Sequence, residues 1–184
     1  DPQLRVTQLV ADGTPVPAMT RVIAFTGSAT SILRLERPLL NLIQHLSGVA
    51  TTTQQFVQAL ANPDIAIVDT RKTTPLLRSL EKAAVIAGGG YNHRFNLSDM
   101  ILLKENHIMA LHHHHPTRTV GTVLKHARQT YPNYQIEIEI SQPDTLTQWD
   151  LSDADIIMFD NFSFSDSQAA SATCRVRYPN VLLE

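Results

Sequence analysis

Residues Val68–His107 read VDTRKTTPLLRSLEKAAVIAGGGYNHRFNLSDMILLKENH. The stretch opens in IAIVD (65–69), a short β-branched run, and closes through MILLK (100–104), a second apolar run; both end in charge. Between them, Thr74-Pro75 offers an N-cap and a first-turn proline for a helix reaching about Ala87. Apolar strand, helix and apolar strand predict a β/α unit with parallel strands. The cations Arg71, Lys72, His93, Arg94, Lys104 and His107 cluster at the ends of segments that should be buried. An anionic ligand is expected to neutralise them.

Working downstream, a helix is expected from about Thr117 to Thr130, stopping before Pro132. YQIEIEI (134–140) reads as a strand, a short helix follows Pro143, and DIIMFD (155–160) is the next strand. A helix over 166–176 and a strand over 180–184 complete the alternation. The strand ends carry, in order, Asp69 with Arg71 and Lys72, then Lys104 with Glu105, Glu139, Asp160 with Asn161, and Glu184. In a β/α barrel the carboxyl ends of the strands form the face where chemistry is done.

Upstream, RVTQLV and VIAFTGSA flank a turn at Asp12-Gly13 and read as short strands of a small sheet. From Thr30 to Leu46 the apolar positions shift to helical spacing, and Pro38 predicts a kink or restart. A second helix is expected from Val49 to Leu60, ending at Asn62-Pro63. The fold class is therefore α/β: an incomplete β/α barrel of parallel strands (49–184) preceded by part of a small α/β sandwich domain with a linking helix (1–48).

With 184 residues, 43% hydrophobic and 17% charged, the chain can bury a sizeable core. Its formal net charge of −2 argues against nucleic acid or a membrane surface as a partner. No apolar run approaches the roughly eighteen residues of a membrane span. One cysteine, Cys174, has no partner for an internal disulfide, so a reducing, cytoplasmic setting is expected. Cys174 itself reads as a buried thiol and Trp149 as packing. The chain starts at Asp1 and ends in strand-like Val181-Leu182-Leu183-Glu184, and both ends are expected to be cut.

Arg71-Lys72-Thr73-Thr74 can present side-chain cations and helix-start N–H groups to one anion. Gly88-Gly89-Gly90 matches no nucleotide fingerprint and is expected to turn the chain so that Asn92-His93-Arg94 faces inward. Glu139 and Asp160 at neighbouring strand ends suit Mg²⁺, although such a pair also suits acid and base work on a sugar. The surrounding cations favour phosphate. His112–His115 is read as a solvated loop, since adjacent residues share no face on which to hold a metal.

Six ordered motifs carry a resemblance: Glu36-Arg37-Pro38-Leu39-Leu40-Asn41 running on to LSGVAT, Asp69-Thr70-Arg71-Lys72-Thr73, Gly89-Gly90 with Asn92-His93-Arg94, Leu103-Lys104-Glu105-Asn106-His107, Glu137-Ile138-Glu139, and Asp160-Asn161-Phe162. Over nearly its whole length the chain resembles the quinolinate phosphoribosyltransferases (nicotinate-nucleotide pyrophosphorylases, carboxylating). The resemblance implies a Mg²⁺-dependent reaction of quinolinate with phosphoribosyl pyrophosphate, giving nicotinate mononucleotide, pyrophosphate and CO₂. It implies a homodimer in which Arg37 reaches the partner subunit's site. It places Arg71, His93, Arg94 and Lys104 at the dicarboxylate, Lys72 at the pyrophosphate, and Glu139 and Asp160 at the ribose and metal. Lys72, Lys104, Glu139 and Asp160 are the expected catalytic groups.

The chain also departs from that pattern. The glycine-rich phosphate loops expected beyond Glu184 and the first half of the amino-terminal domain are missing, and ALHHHHPTRT stands where small residues are usual. The chain is thus expected to be an inactive fragment of such an enzyme. Two other readings stay open: a related transferase, of the nicotinate type or associated with molybdenum transport, and a non-catalytic binding or assembly module.

Overall fold

The computed structural model describes residues 4–184. Two compact units emerge, Asp1–Phe95 and Asn96–Glu184.

In the first unit, β1 (Arg5–Gln8) and β2 (Ile23–Thr26) pair antiparallel, with Val6 opposite Phe25. Ser28 then caps α1 (Ala29–Leu60), its side chain accepting the Ser31 N–H, and Ala61 ends the helix at φ 47°. Of the kink or restart expected at Pro38, the restart does not occur: α1 is one helix of 32 residues with Pro38 inside it. A proline removes one intrahelical bond, and the turns on either side carry the helix across. The helix also runs unbroken past position 48.

The expected strand over 65–69 is reduced to one parallel bridge, Val68 with Tyr91. The Tyr91 N–H donates to Ile67 O (2.8 Å) and the Asp69 N–H to Tyr91 O (3.1 Å). The helix expected from Thr74 begins later, as α2 (Arg78–Ala87) after Leu77. Thr74–Leu77 instead forms a turn closed by the Leu77 N–H to Thr74 O, with Leu76 left-handed at φ 67°. A left-handed residue cannot sit inside an α-helix, so helix growth waits until Arg78.

The glycine triplet does more than turn the chain. A Cβ on Gly88 would meet Ala50 O at 2.3 Å, and one on Gly90 would meet the Thr53 side chain at 2.8 Å. These glycines let the end of α2 press against the backbone of α1, while Gly89 takes φ 86°.

The second unit holds the α/β core. In chain order it comprises β3 (Ile101–Leu103), α3 (Glu105–His114), α4 (Val120–Thr130), β4 (Ile136–Ile140), α5 (Thr145–Gln148), β5 (Ile156–Phe159), α6 (Phe164–Arg177) and β6 (Leu182–Leu183). The strands form one parallel sheet in the order β3-β4-β5-β6. Four strands leave the sheet open, an incomplete β/α barrel as expected. His112–His114 lie in the last turn of α3 rather than in a loop, though they are exposed. Among the described residues, no grouped set of potential metal ligands includes them.

Register divides the sheet into two faces. Ile138 aligns with Leu103 and Ile157, and this face packs with Leu124, Leu146 and Cys174 into the buried core. Burial pushes the Cys174 thiol pKa up, as an inert core thiol requires. Trp149 packs against the same core. The opposite face aligns Leu102, Glu137, Ile156 and Leu182. Side chains alternate along strands, so Glu139 joins Glu137 there, and Lys104, Asp160 and Glu184 continue it just past the strand ends.

Candidate active site

Each unit presents its own cluster of expected site residues. In Asp1–Phe95, two loops carry the cations: 69–73, entering from the Val68 bridge, and 91–95, leaving the glycine triplet. Between them sits an ion pair of Lys82 and Asp69, whose side chains are 2% and 8% exposed. Asp69 Oδ1 also accepts the His93 N–H (2.9 Å), and Lys82 Nζ donates to His93 O (3.3 Å). With its amide nitrogen assigned toward Asp69 from the hydrogen-bond pattern, Asn92 donates to Asp69 Oδ2 (2.7 Å) and Lys82 O (3.0 Å). Asp69 is therefore committed to holding the loops.

Arg71 and Lys72 follow. The Nε of Arg71 is buried and has no hydrogen-bond partner among the described residues. A buried guanidinium N–H without an acceptor is costly, which makes Arg71 a candidate anion contact. Lys72 is exposed, its backbone N–H held by Thr70 Oγ1 at 3.1 Å. His93 and Arg94 are half-buried on the second loop. Arg37 stands exposed on α1.

The 69–74 loop is also tied to α1. Glu81 Oε2 accepts the Thr74 N–H (3.0 Å), and Oε1 meets His45 Nε2 at 2.7 Å. Hydrogen bonds from Thr74, and then from His45, hold the Glu81 carboxyl below its usual range.

In Asn96–Glu184, Lys104 ion-pairs with Glu139 on the charged face of the sheet. Lys104 is also the residue preceding α3, and its backbone N–H donates to His107 Nδ1 at 2.9 Å. Asp160 lies one residue beyond β5, its N–H bonded to Ile140 O (2.9 Å) at the end of β4. Asn161 follows at φ 58°, and its Nδ2 donates to Asp160 Oδ2 at 3.0 Å. Glu139 and Asp160 thus stand on adjoining strands, both offering hard oxygen donors.

The amino end of the same sheet is wired for stability. Asp155 Oδ2 accepts the Ile136 N–H (2.7 Å) and an Arg128 guanidinium N–H (2.5 Å), fixing the starts of β4 and β5. The expected site residues and this structural ionic pair therefore lie at opposite strand ends.

Two residues of these clusters, Arg78 and Lys82, carry no signal in the sequence, and a third, Glu137, stands out there only as part of the Glu137-Ile138-Glu139 motif. Arg78 and Lys82 stand one turn apart on α2, a spacing that also marks an ordinary solvated helix face, so nothing singled them out. Glu137 is fully buried on the charged face. Its period-two spacing from Glu139 was the available signal.

Comparison with known proteins supplies the family. Residues 49–184 match the model for "Quinolinate phosphoribosyl transferase, C-terminal domain", and residues 2–47 match its N-terminal counterpart. A probable nicotinate-nucleotide pyrophosphorylase [carboxylating] of Bacillus subtilis is 50% identical over 139 residues, covering 73% of this chain and 45% of that protein. The Mycobacterium leprae nicotinate-nucleotide pyrophosphorylase [carboxylating] is 36% identical over 98% of this chain and 61% of its own. The structure of the Francisella tularensis nicotinate-nucleotide pyrophosphorylase superposes with a TM-score of 0.85 at 37% identity, covering all of this chain and 62% of that one. The chain thus spans about three fifths or less of the length of these relatives. Matched across both domain models, the chain belongs to the quinolinate phosphoribosyl transferase family.

Proposed function

We propose that this chain carries the dicarboxylate-binding and ribose-facing residues of an enzyme that transfers a phosphoribosyl group to quinolinate, with decarboxylation, toward NAD. The observation that carries the reading is Arg71, whose buried Nε lacks an acceptor among the described residues, in a chain belonging to this family. Quinolinate has two carboxylates, and planar guanidinium groups grip such groups in bidentate fashion. Arg71, Arg94 and His93 serve the carboxylates, with Lys104 adding a donor, and exposed Lys72 serves the pyrophosphate.

As the ring nitrogen displaces pyrophosphate, positive charge grows on the ribose carbon, and Glu139 and Asp160 stabilise it. Once the nitrogen is quaternised, loss of the adjacent carboxylate as CO₂ leaves its electron pair on a ring carbon stabilised by the cationic nitrogen beside it, and a proton from water then forms the C–H bond of the product. The donor chemistry fits Mg²⁺: Glu139 Oε2 pairs with Lys104 and Asp160 Oδ2 with Asn161, and the second oxygen of each carboxylate is a suitable hard ligand. Bound there, the ion would neutralise charge on the departing pyrophosphate.

We further propose the domain division 1–48 and 49–184, a cytoplasmic homodimer, and a role for Arg37 at the partner subunit's site. Exposure of Arg37 on α1 supports that role, and no helix among the described residues is long and apolar enough to cross a membrane. The test measures quinolinate-dependent pyrophosphate release with Mg²⁺ on the intact gene product. Release is expected with quinolinate and to be lost in Arg94→Ala. Equal release with nicotinate, or indifference to the substitution, would overturn the assignment.

A further inference from the structure

Two loops bring cations to the first unit's site, and one helix bonds to both. Arg78, opening α2, donates from Nε to Thr73 Oγ1 (3.1 Å) and from Nη2 to Arg71 O (3.2 Å) on the first loop, and from Nη1 to Phe95 O (3.2 Å) on the second. One turn on, Lys82 repeats the arrangement. Its ammonium pairs with Asp69 at the first loop and donates to His93 O on the second. Asp69 closes the figure by accepting the His93 N–H and the Asn92 amide.

Stability alone does not explain this choice of residues. A buried ion pair often contributes no more than well-packed apolar residues of similar volume, because both charges lose their water. What charges and hydrogen bonds add is direction: each bond fixes a particular backbone atom. Here the fixed atoms are Arg71 O, the His93 N–H and His93 O, and Phe95 O, which belong to or flank three site cations. The spacing of the two loops is thus written into one face of α2.

We propose that Asp69, Arg78 and Lys82 are positioning residues that set the distance between the Arg71 loop and the His93-Arg94 loop, matching it to a planar aromatic dicarboxylate. They touch no substrate themselves. This rests on the reading of Arg71, His93 and Arg94 as carboxylate ligands.

The test uses the intact gene product with Lys82→Met and with Asp69→Asn/Lys82→Met. The double variant removes both buried charges, keeps a side-chain amide oxygen at position 69 to accept the His93 N–H, and guards against a single variant that fails to fold. Amide exchange and the KM values for quinolinate and phosphoribosyl pyrophosphate are measured, with Arg94→Ala as the control for the site itself. In the double variant, exchange at 91–95 should accelerate on the order of tenfold while β4 stays protected. The quinolinate KM should rise on the order of tenfold with that for phosphoribosyl pyrophosphate little changed.

Wild-type kinetics in the double variant, with activity lost in Arg94→Ala, would overturn the positioning role alone. The role also falls if exchange accelerates equally throughout α1 and α2, or if the loop loosens with the quinolinate KM unmoved. A wild-type protein that does not turn over quinolinate overturns this proposal and the functional reading together.

Discussion

The two units are similar in length and opposite in how they are held together. Asn96–Glu184 follows the ordinary rule: Leu124, Ile136, Ile138, Leu146 and Ile157 are at most 1% exposed and pack as one core between sheet and helices. In Asp1–Phe95, the residues other than glycine that are buried as a whole, among those described, are Thr53, Lys82 and Ala84, of which two are polar. There, Leu33, Phe56 and Met19 are exposed, and a cavity of about 510 Å³ lies among the hairpin, α1 and α2. An apolar core is tolerant of shape and fixes volume, whereas a hydrogen-bonded ion pair fixes individual atoms. The first unit relies on the second kind of interaction where it must place Arg71, His93 and Arg94.

The contrast predicts its own ordering of effects. Asp69→Ala strands the Lys82 ammonium in a buried site and should destabilise Asp1–Phe95 by about 3–5 kcal/mol, measured by amide exchange resolved over each unit. A loss confined to a few tenths of a kcal/mol would show that the ionic node is decoration. Leu124→Ala should cost about 2–5 kcal/mol in the second unit through the cavity it leaves, and denaturant unfolding that follows β4 amides reads it. If this change loosened α2 as strongly as β4, the two cores would not be independent.

A smaller effect concerns acid. Glu81 is held below its ordinary value near 4.5, so its contribution is complete above that pH and is lost as pH falls through the depressed folded value. Protection of the Thr74 N–H and of the α1 face near His45 should fade in that acid window, and Glu81→Gln should flatten the profile. A loss of protection on raising the pH through and beyond that window would contradict the sign. Least of all, Leu33→Ala, at a position 70% exposed, should stay within about 0.5 kcal/mol. A larger cost, dependent on protein concentration, would mean that the exposed side of α1 is covered by a second copy.

Much of the second unit was readable from residue order. The runs at 100–104, 134–140 and 155–160 produced β3, β4 and β5 within a residue or two, and charge at their ends marked the candidate face. The first unit was harder. Pro38 suggested a break because a proline's local cost is plain in sequence, while the continuity of the flanking turns is not. Thr74-Pro75 looked like a helix start, but a left-handed Leu76 is invisible in composition. In the sequence Asp69 is a strand-end charge beside Arg71 and Lys72, and only its partners show it holding the two loops.

What the sequence determined by itself was the class of fold and a set of candidate site groups, because period-two and helical apolar spacing, and motif order, are local properties of the chain. Tertiary structure alone decided which of those groups are presented and which are consumed. Lys82 is thirteen residues from Asp69 and eleven from His93, and nothing along the chain says that all three share hydrogen bonds. Burial and pairing are properties of neighbours in space, and it is those neighbours that turn one ordinary-looking helix face into the frame holding two cation-bearing loops.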